Sequence, residues 1–150
     1  MLAAVGPALI VVIDASVALK WFFSDREDEE HVNNALEILR CIDSGQVRMV
    51  QPPHFLAEMA AVLAREKPEE ARADLADLQR LLWEVSEGPG IYATAVELSI
   101  QLDQHLFDTL YHATALETDG ATLVTADSRY YANAKGIGRI MRVDEFRLAD

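Results

Sequence analysis

Short apolar runs alternate along this chain with longer stretches in which apolar residues recur every three or four positions. Leu9–Ile13, Val47–Val50 and Thr122–Thr125 are of the first kind, and Arg139–Val143 is a weaker fourth. Runs of this length suit strands covered on both faces, as in a parallel sheet. Between Glu29 and Asp43, residues Val32, Ala35, Leu36, Leu39 and Ile42 share one helical stripe, and Gly45 follows as a stop signal. Ala71, Leu75, Leu78, Leu82 and Val85 repeat that period from Pro68 to Val85, with proline in the first turn. FLAEMAAVLA (55–64) predicts a helix apolar nearly all round, hence buried. SEGPG at 86–90 is the clearest loop. No repeat or linker divides the chain. The expected fold is α/β, a single domain over residues 1–150 with helices flanking a short parallel sheet.

Composition narrows this picture. A chain of 150 residues can bury about two thirds of its unfolded surface, and 51% hydrophobic with 25% charged residues is globular, not disordered. Residues 1–13 lack charged side chains, but the apolar stretch from Ala8 to Ile13 is too short to span a bilayer and no basic segment precedes it. A first strand, in a cytoplasmic protein without membrane contact, is expected. Cys41 is the only cysteine, which excludes an internal disulfide, and no activating neighbour surrounds it. The formal charge of −12 would repel a phosphate backbone, so any nucleic-acid function must account for it.

Most of the 25 acidic residues lie in polar stretches such as DREDEE (25–30). Four do not. Asp14 is the only charged side chain in residues 1–19, at the end of the first strand. Glu58 is alone in FLAEMAAVLA, Asp108 is alone in QHLFDTLYHATAL (104–116), and Asp127 ends ATLVTAD (121–127). A carboxylate in apolar surroundings is costly unless it is paired or binds metal. Asp14, Asp108 and Asp127 have a structural alternative as helix caps, and Glu58 has one as an ion pair with Arg65. Should the four converge, like-charge repulsion would raise some of their pKa values or recruit cations. An all-oxygen set of Asp and Glu suits Mg²⁺ or Mn²⁺, and such sites activate water for phosphoryl chemistry.

VIDASVALKWF (12–22), the Glu58 helix, FDTLYHATA (107–115) and LVTADSRYY (123–131) together resemble the PIN-domain ribonucleases, most closely VapC-type toxins of toxin–antitoxin pairs. The motifs follow the family's order over nearly the whole chain. The resemblance implies a metal-dependent endoribonuclease. Asp14, Glu58, Asp108 and Asp127 would be its catalytic and metal-binding acids, with Ser16 and Thr125 as supporting hydroxyls. It also implies Mg²⁺ or Mn²⁺ as cofactor, an RNA substrate, a cognate antitoxin and a homodimer. An antitoxin arginine entering the carboxylate pocket would offset part of the acidic charge. The acidic DREDEE and the scarcity of basic residues in SEGPG depart from the family pattern and leave Lys20, Arg129 and Lys135 as the candidate RNA contacts. Trp21, Phe22 and Phe23 are expected in the core or a dimer contact, and Trp83 in packing. The four histidines, His31, His54, His105 and His112, have no ligand-like spacing. A PIN-like scaffold that only binds partners is the alternative. A phospho-receiver domain needs paired acids after the first strand, and VIDAS has one.

Overall fold

The computed structural model describes residues 9–148. Residues 1–8, which begin the uncharged N-terminal stretch, and residues 149–150 lie outside the described residues. Five parallel strands form one sheet in the order β3-β2-β1-β4-β5. They are β1 (Leu9–Ile13), β2 (Val47–Gln51), β3 (Glu84–Val85), β4 (Ala121–Thr125) and β5 (Ile140–Arg142). Val11, Val12, Ile13, Leu123 and Val124 are fully buried, as central strands covered on both faces require. The covering helices are α1 (Ala15–Ala18), α2 (Val32–Asp43), α3 (Phe55–Glu66), α4 (Ala71–Arg80), α5 (Pro89–Leu102), α6 (Leu106–Leu116) and α7 (Ser128–Ala134). The main core joins the sheet to α2, α3 and Tyr111, and a smaller one joins α5 to α6 through Ile91, Ala95, Leu98, Leu110 and Ala113. Among the described residues, no helix is long and apolar enough to cross a membrane.

Several expectations need correction. The helix expected from Glu29 begins at Val32, because Glu29 turns back to pair with Lys20 at 2.9 Å and His31 adopts a left-handed φ of 58°. The helix expected to run to Val85 ends at Arg80, and Glu84–Val85 instead forms the edge strand beside β2. Leu82 is therefore exposed, not on a buried stripe. The loop expected over 86–90 yields its last two residues to α5, which starts at Pro89. Helix α3 buries only Phe55, Met59 and Leu63, since its outer face is alanine at 57, 61 and 64. Trp21 and Phe23 are buried in the core of their own chain, as one of the two expectations had it, with the Trp21 indole donating to the Ala35 carbonyl at 2.8 Å. Trp83 packs edge-on against Phe55 as expected.

Candidate functional site

The chain runs from β1 outward through β2 to β3, then returns to place β4 on the other side of β1. In open α/β sheets the carboxyl ends of the strands at such a switch point are where ligands are taken. Asp14 directly follows β1 and Asp127 lies two residues beyond β4. Two bonds join their loops: Asp14 N–H donates to the Val124 carbonyl at 3.3 Å, and Ala126 N–H donates to the Ser16 hydroxyl at 3.0 Å. The Ser16 hydroxyl in turn donates to the Asp14 carboxylate, which also caps α1 through Val17 N–H at 3.3 Å. Asp127 caps α7 by accepting from Tyr130 N–H at 3.0 Å, and its own N–H donates to the Thr125 hydroxyl at 3.0 Å. Both aspartates thus fill the cap role. Asp108 does not: His105 caps α6, and Asp108 stands within the first turn.

Burial pushes the Asp14 carboxyl up to about 6, with the Asp127 charge adding to the rise and the Ser16 and Thr125 hydroxyls and Val17 N–H opposing it. Asp108 is exposed as a residue, but protein crowds one side of its carboxyl. That burial raises its pKa, and the charges of Glu58 and Asp127 raise it further. Charge effects thus link the acids pairwise, Asp14 with Asp127, Asp127 with Asp108 and Asp108 with Glu58, while among the described residues no three of them stand near enough to hold one ion. Among the described residues none of them pairs with lysine or arginine. Arg65, the partner that the structural alternative offered Glu58, is exposed two helical turns away and meets Glu66 at 3.2 Å. Lys20 is buried against Glu29, whereas Arg129 and Lys135 are exposed.

The groups that do hold the acids were not singled out in the sequence. Tyr111 of α6 is buried, and its hydroxyl donates to Glu58 Oε1 at 2.5 Å. His54 Nε2 stands 3.6 Å from the same oxygen and bonds the Phe107 carbonyl at 2.9 Å; burial lowers its pKa, keeping the ring neutral with its proton on Nε2. Behind the site His112 is fully buried between the Tyr130 hydroxyl (3.0 Å) and the Gly138 carbonyl (2.8 Å), a packing histidine that ties α6 to α7. Gln51, also fully buried, accepts from Ile13 N–H and donates to the Ile13 carbonyl, both at 2.7 Å. The β1–β2 register runs Leu9–Val47, Ile10–Arg48, Val11–Met49, so Ile13 would next face Gln51. The Gln51 side chain takes the place of its own backbone there. It fixes the residue that carries Asp14.

A PIN domain model matches residues 11–136. The chain belongs to the PIN-domain family. A phospho-receiver reading is thereby set aside. No curated protein sequence matches this PIN domain. Among solved structures it is similar to VapBC-1 from nontypeable Haemophilus influenzae, with TM-score 0.64 and 13% identity over 91% of this chain and 99% of that one. It is similar also to a toxin–antitoxin complex from Klebsiella pneumoniae, with TM-score 0.62 and 18% identity over 91% and 99% of the two chains. VapBC2 from Rickettsia felis, bound to a DNA fragment from its promoter, gives TM-score 0.61 and 18% identity over 89% and 98%. At these identities the likeness is one of fold.

Proposed function

We propose that this PIN domain is a metal-dependent endoribonuclease, the toxin of a toxin–antitoxin pair. The observation that carries the reading is the set of four carboxylates linked pairwise by their charges, two of them just after strands on either side of the sheet's switch point, and none pairing with lysine or arginine among the described residues. The fold shared with VapBC complexes supports the biological setting.

The donor set fits a hard divalent cation. It is all oxygen, and Asp14 and Asp108 carry raised pKa values that a bound cation would lower. Among the described residues no three acids or histidines stand near enough to clasp one ion. Mg²⁺ is commonly held by one or two carboxylates with waters completing its shell, so it does not need three protein ligands together. Asp14, Glu58, Asp108 and Asp127 would hold Mg²⁺ or Mn²⁺. When bound, the ion supplies polarisation of a phosphodiester oxygen and an acidified water. The Ser16 and Thr125 hydroxyls favour the ionised form of Asp14 against its burial, Ser16 also orients it, and Tyr111 fixes one oxygen of Glu58.

The partner reading is a homodimer bound to an antitoxin. A groove of about 880 Å³ between residues 21–25, α2 and α4 is lined by Trp21, Phe22, Leu36, Leu39, Leu78 and Leu81 together with charged residues such as Arg40, Asp43, Asp77 and Arg80, and contains none of the four acids. Its apolar floor suits an amphipathic segment of such a partner.

The spacing that leaves no three ligands together favours the rival reading, a scaffold without catalysis. One experiment separates them. Purified protein should cleave single-stranded RNA with Mg²⁺ or Mn²⁺ and not with EDTA, and Asp14→Asn should lower the rate at least about 100-fold, as expected when a several-kcal/mol electrostatic contribution is lost. Cleavage that survives in Asp14→Asn, or no cleavage by the parent of any RNA supplied, sinks the nuclease reading.

A further inference from the structure

Beside the acids stands an aromatic residue that the packing of the chain does not explain. Phe107 is 48% exposed, although the rest of α6 from Thr109 to Ala115 is buried. It is nevertheless held firmly. Its N–H donates to His105 Nδ1 at 3.1 Å, and its carbonyl is bonded by His54 Nε2 at 2.9 Å. Both imidazoles also touch its ring, His105 edge-on at 4.9 Å between centroids and His54 tilted at 5.3 Å. His54 continues inward to Tyr111 at 4.7 Å, and Tyr111 donates to Glu58. A run of four rings therefore leads from the surface to a site carboxylate, and Asp108 is the residue after Phe107.

We propose that Phe107, braced by His54 and His105, is a stacking shelf for one unpaired base of the RNA bound at the acidic site. The inference rests on the nuclease reading above and names how that site grips its substrate. Single-stranded RNA is recognised largely by stacking unpaired bases on aromatic faces, and every base offers such a face. Stacking also requires no positive charge. In a chain of net charge −12 whose Lys20 is already committed to Glu29, an apolar shelf supplies affinity that a basic groove supplies elsewhere. The two imidazoles explain how an exposed ring is fixed in advance: the backbone of Phe107 is bonded on both sides, so little freedom is lost when a base arrives. An exposed, preorganised aromatic next to a catalytic group is a better base platform than the buried Trp21 or Phe23.

The test uses the full chain with Mn²⁺ and a fluorescent oligoadenylate ten-mer as probe, and the same oligomer with one abasic position moved along it. Phe107→Ala should raise KM about 5- to 100-fold, the range expected for one lost base–aromatic stack, with kcat within threefold. Phe107→Tyr should restore KM and Phe107→Leu should not. One abasic position should weaken the parent by a similar factor and add nothing further in Phe107→Ala, and the salt dependence of KM should be the same in both proteins. Since half of the Phe107 surface is covered and its ring rests on the two imidazoles, Phe107→Ala should melt somewhat below the parent, and KM is compared at a temperature where both are folded. An unchanged KM in a parent that cleaves RNA overturns the shelf and leaves the nuclease reading standing; a parent that neither binds nor cleaves RNA overturns both. Phe107→Ala that alters the oligomeric state in sedimentation, with abasic effects intact, assigns the ring to a second copy and overturns the shelf.

Discussion

Two acidic clusters in this molecule are built in opposite ways. On the α3–α4 side, Asp74 and Glu70 surround Lys67, whose ammonium stands 2.8 and 3.0 Å from them and donates to the Phe22 carbonyl at 2.7 Å. These bonds raise the Lys67 pKa, led by the hydrogen bond to Asp74. At the carboxyl end of the sheet, four carboxylates act on one another pairwise with no lysine or arginine paired to them among the described residues, and burial pushes Asp14 up to about 6. The first cluster closes on its own cation and stabilises the fold. The second leaves its charges to be met from outside, so its geometry is maintained at a cost in stability by hydroxyls, an amide and caps.

The contrast can be broken most directly by pH. Below the ordinary carboxyl range near 4, Asp14 is protonated in folded and unfolded chains alike. Between about 4 and 6 the folded state holds the proton and the unfolded state does not, so stability falls as pH rises. Above about 6 both are ionised and the full penalty, on the order of 3 kcal/mol for a two-unit shift, is present. In EDTA, Asp14→Asn should therefore melt close to the parent at pH 4 and above it at pH 7. Stabilisation of the parent by Mn²⁺ should grow as pH rises through 6, because cation and proton compete for the same oxygens. Parallel melting curves for parent and variant across pH 4–7 would refute the open-cluster description.

A smaller effect of opposite sign is expected at the closed cluster. Lys67→Met removes the cation from two carboxylates and a carbonyl, and should cost about 2 kcal/mol, the scale of a hydrogen bond to a charged group. That cost should be insensitive to Mn²⁺ in urea titrations. A metal-dependent loss would mean that the clusters communicate.

The smallest effect sharpens the comparison within the open cluster. Asp127 caps α7 and Asp108 caps nothing, so Asp127→Ala should cost about 1 kcal/mol and Asp108→Ala under about 0.5 kcal/mol. Asn at either position should leave the EDTA melting temperature unchanged or raised, since Asn caps well and relieves repulsion, yet abolish most of the Mn²⁺ shift. Equal shifts in parent and Asn variants would remove these aspartates from the metal site.

The acids were legible because charge is conspicuous against apolar neighbours: Asp14 after LIVVI and Asp127 after ATLVT mark the ends of two buried strands without any coordinates. Their supports were not. Tyr111, His54 and Phe107 lie in apolar, aromatic patterns that read as core, and only the approach of α3 to α6 turns a tyrosine hydroxyl toward Glu58. Leu82 and Val85 continue the period of α4, so periodicity alone extends the helix; the open edge of β2 claims Glu84 and Val85 instead. The 3.6-residue pattern reports what a segment would bury if helical, and pairing with a distant strand overrides it.

Gln51 carries a consequence for how this cleft could change. Along most of the sheet, neighbouring strands are spaced by backbone bonds of fixed length, which no substitution alters. At Ile13 the spacer is a side-chain amide. The distance from the first strand to the second, and with it the reach between the acid after β1 and the acid carried by the helix after β2, is therefore gauged by the length of one side chain. Shortening it by a methylene must draw the strands together or leave the buried Ile13 N–H and carbonyl unpaired, and so acts on the site without touching any of the four acids. A scaffold with such a gauge can shift one acid relative to another through a single residue that meets no solvent.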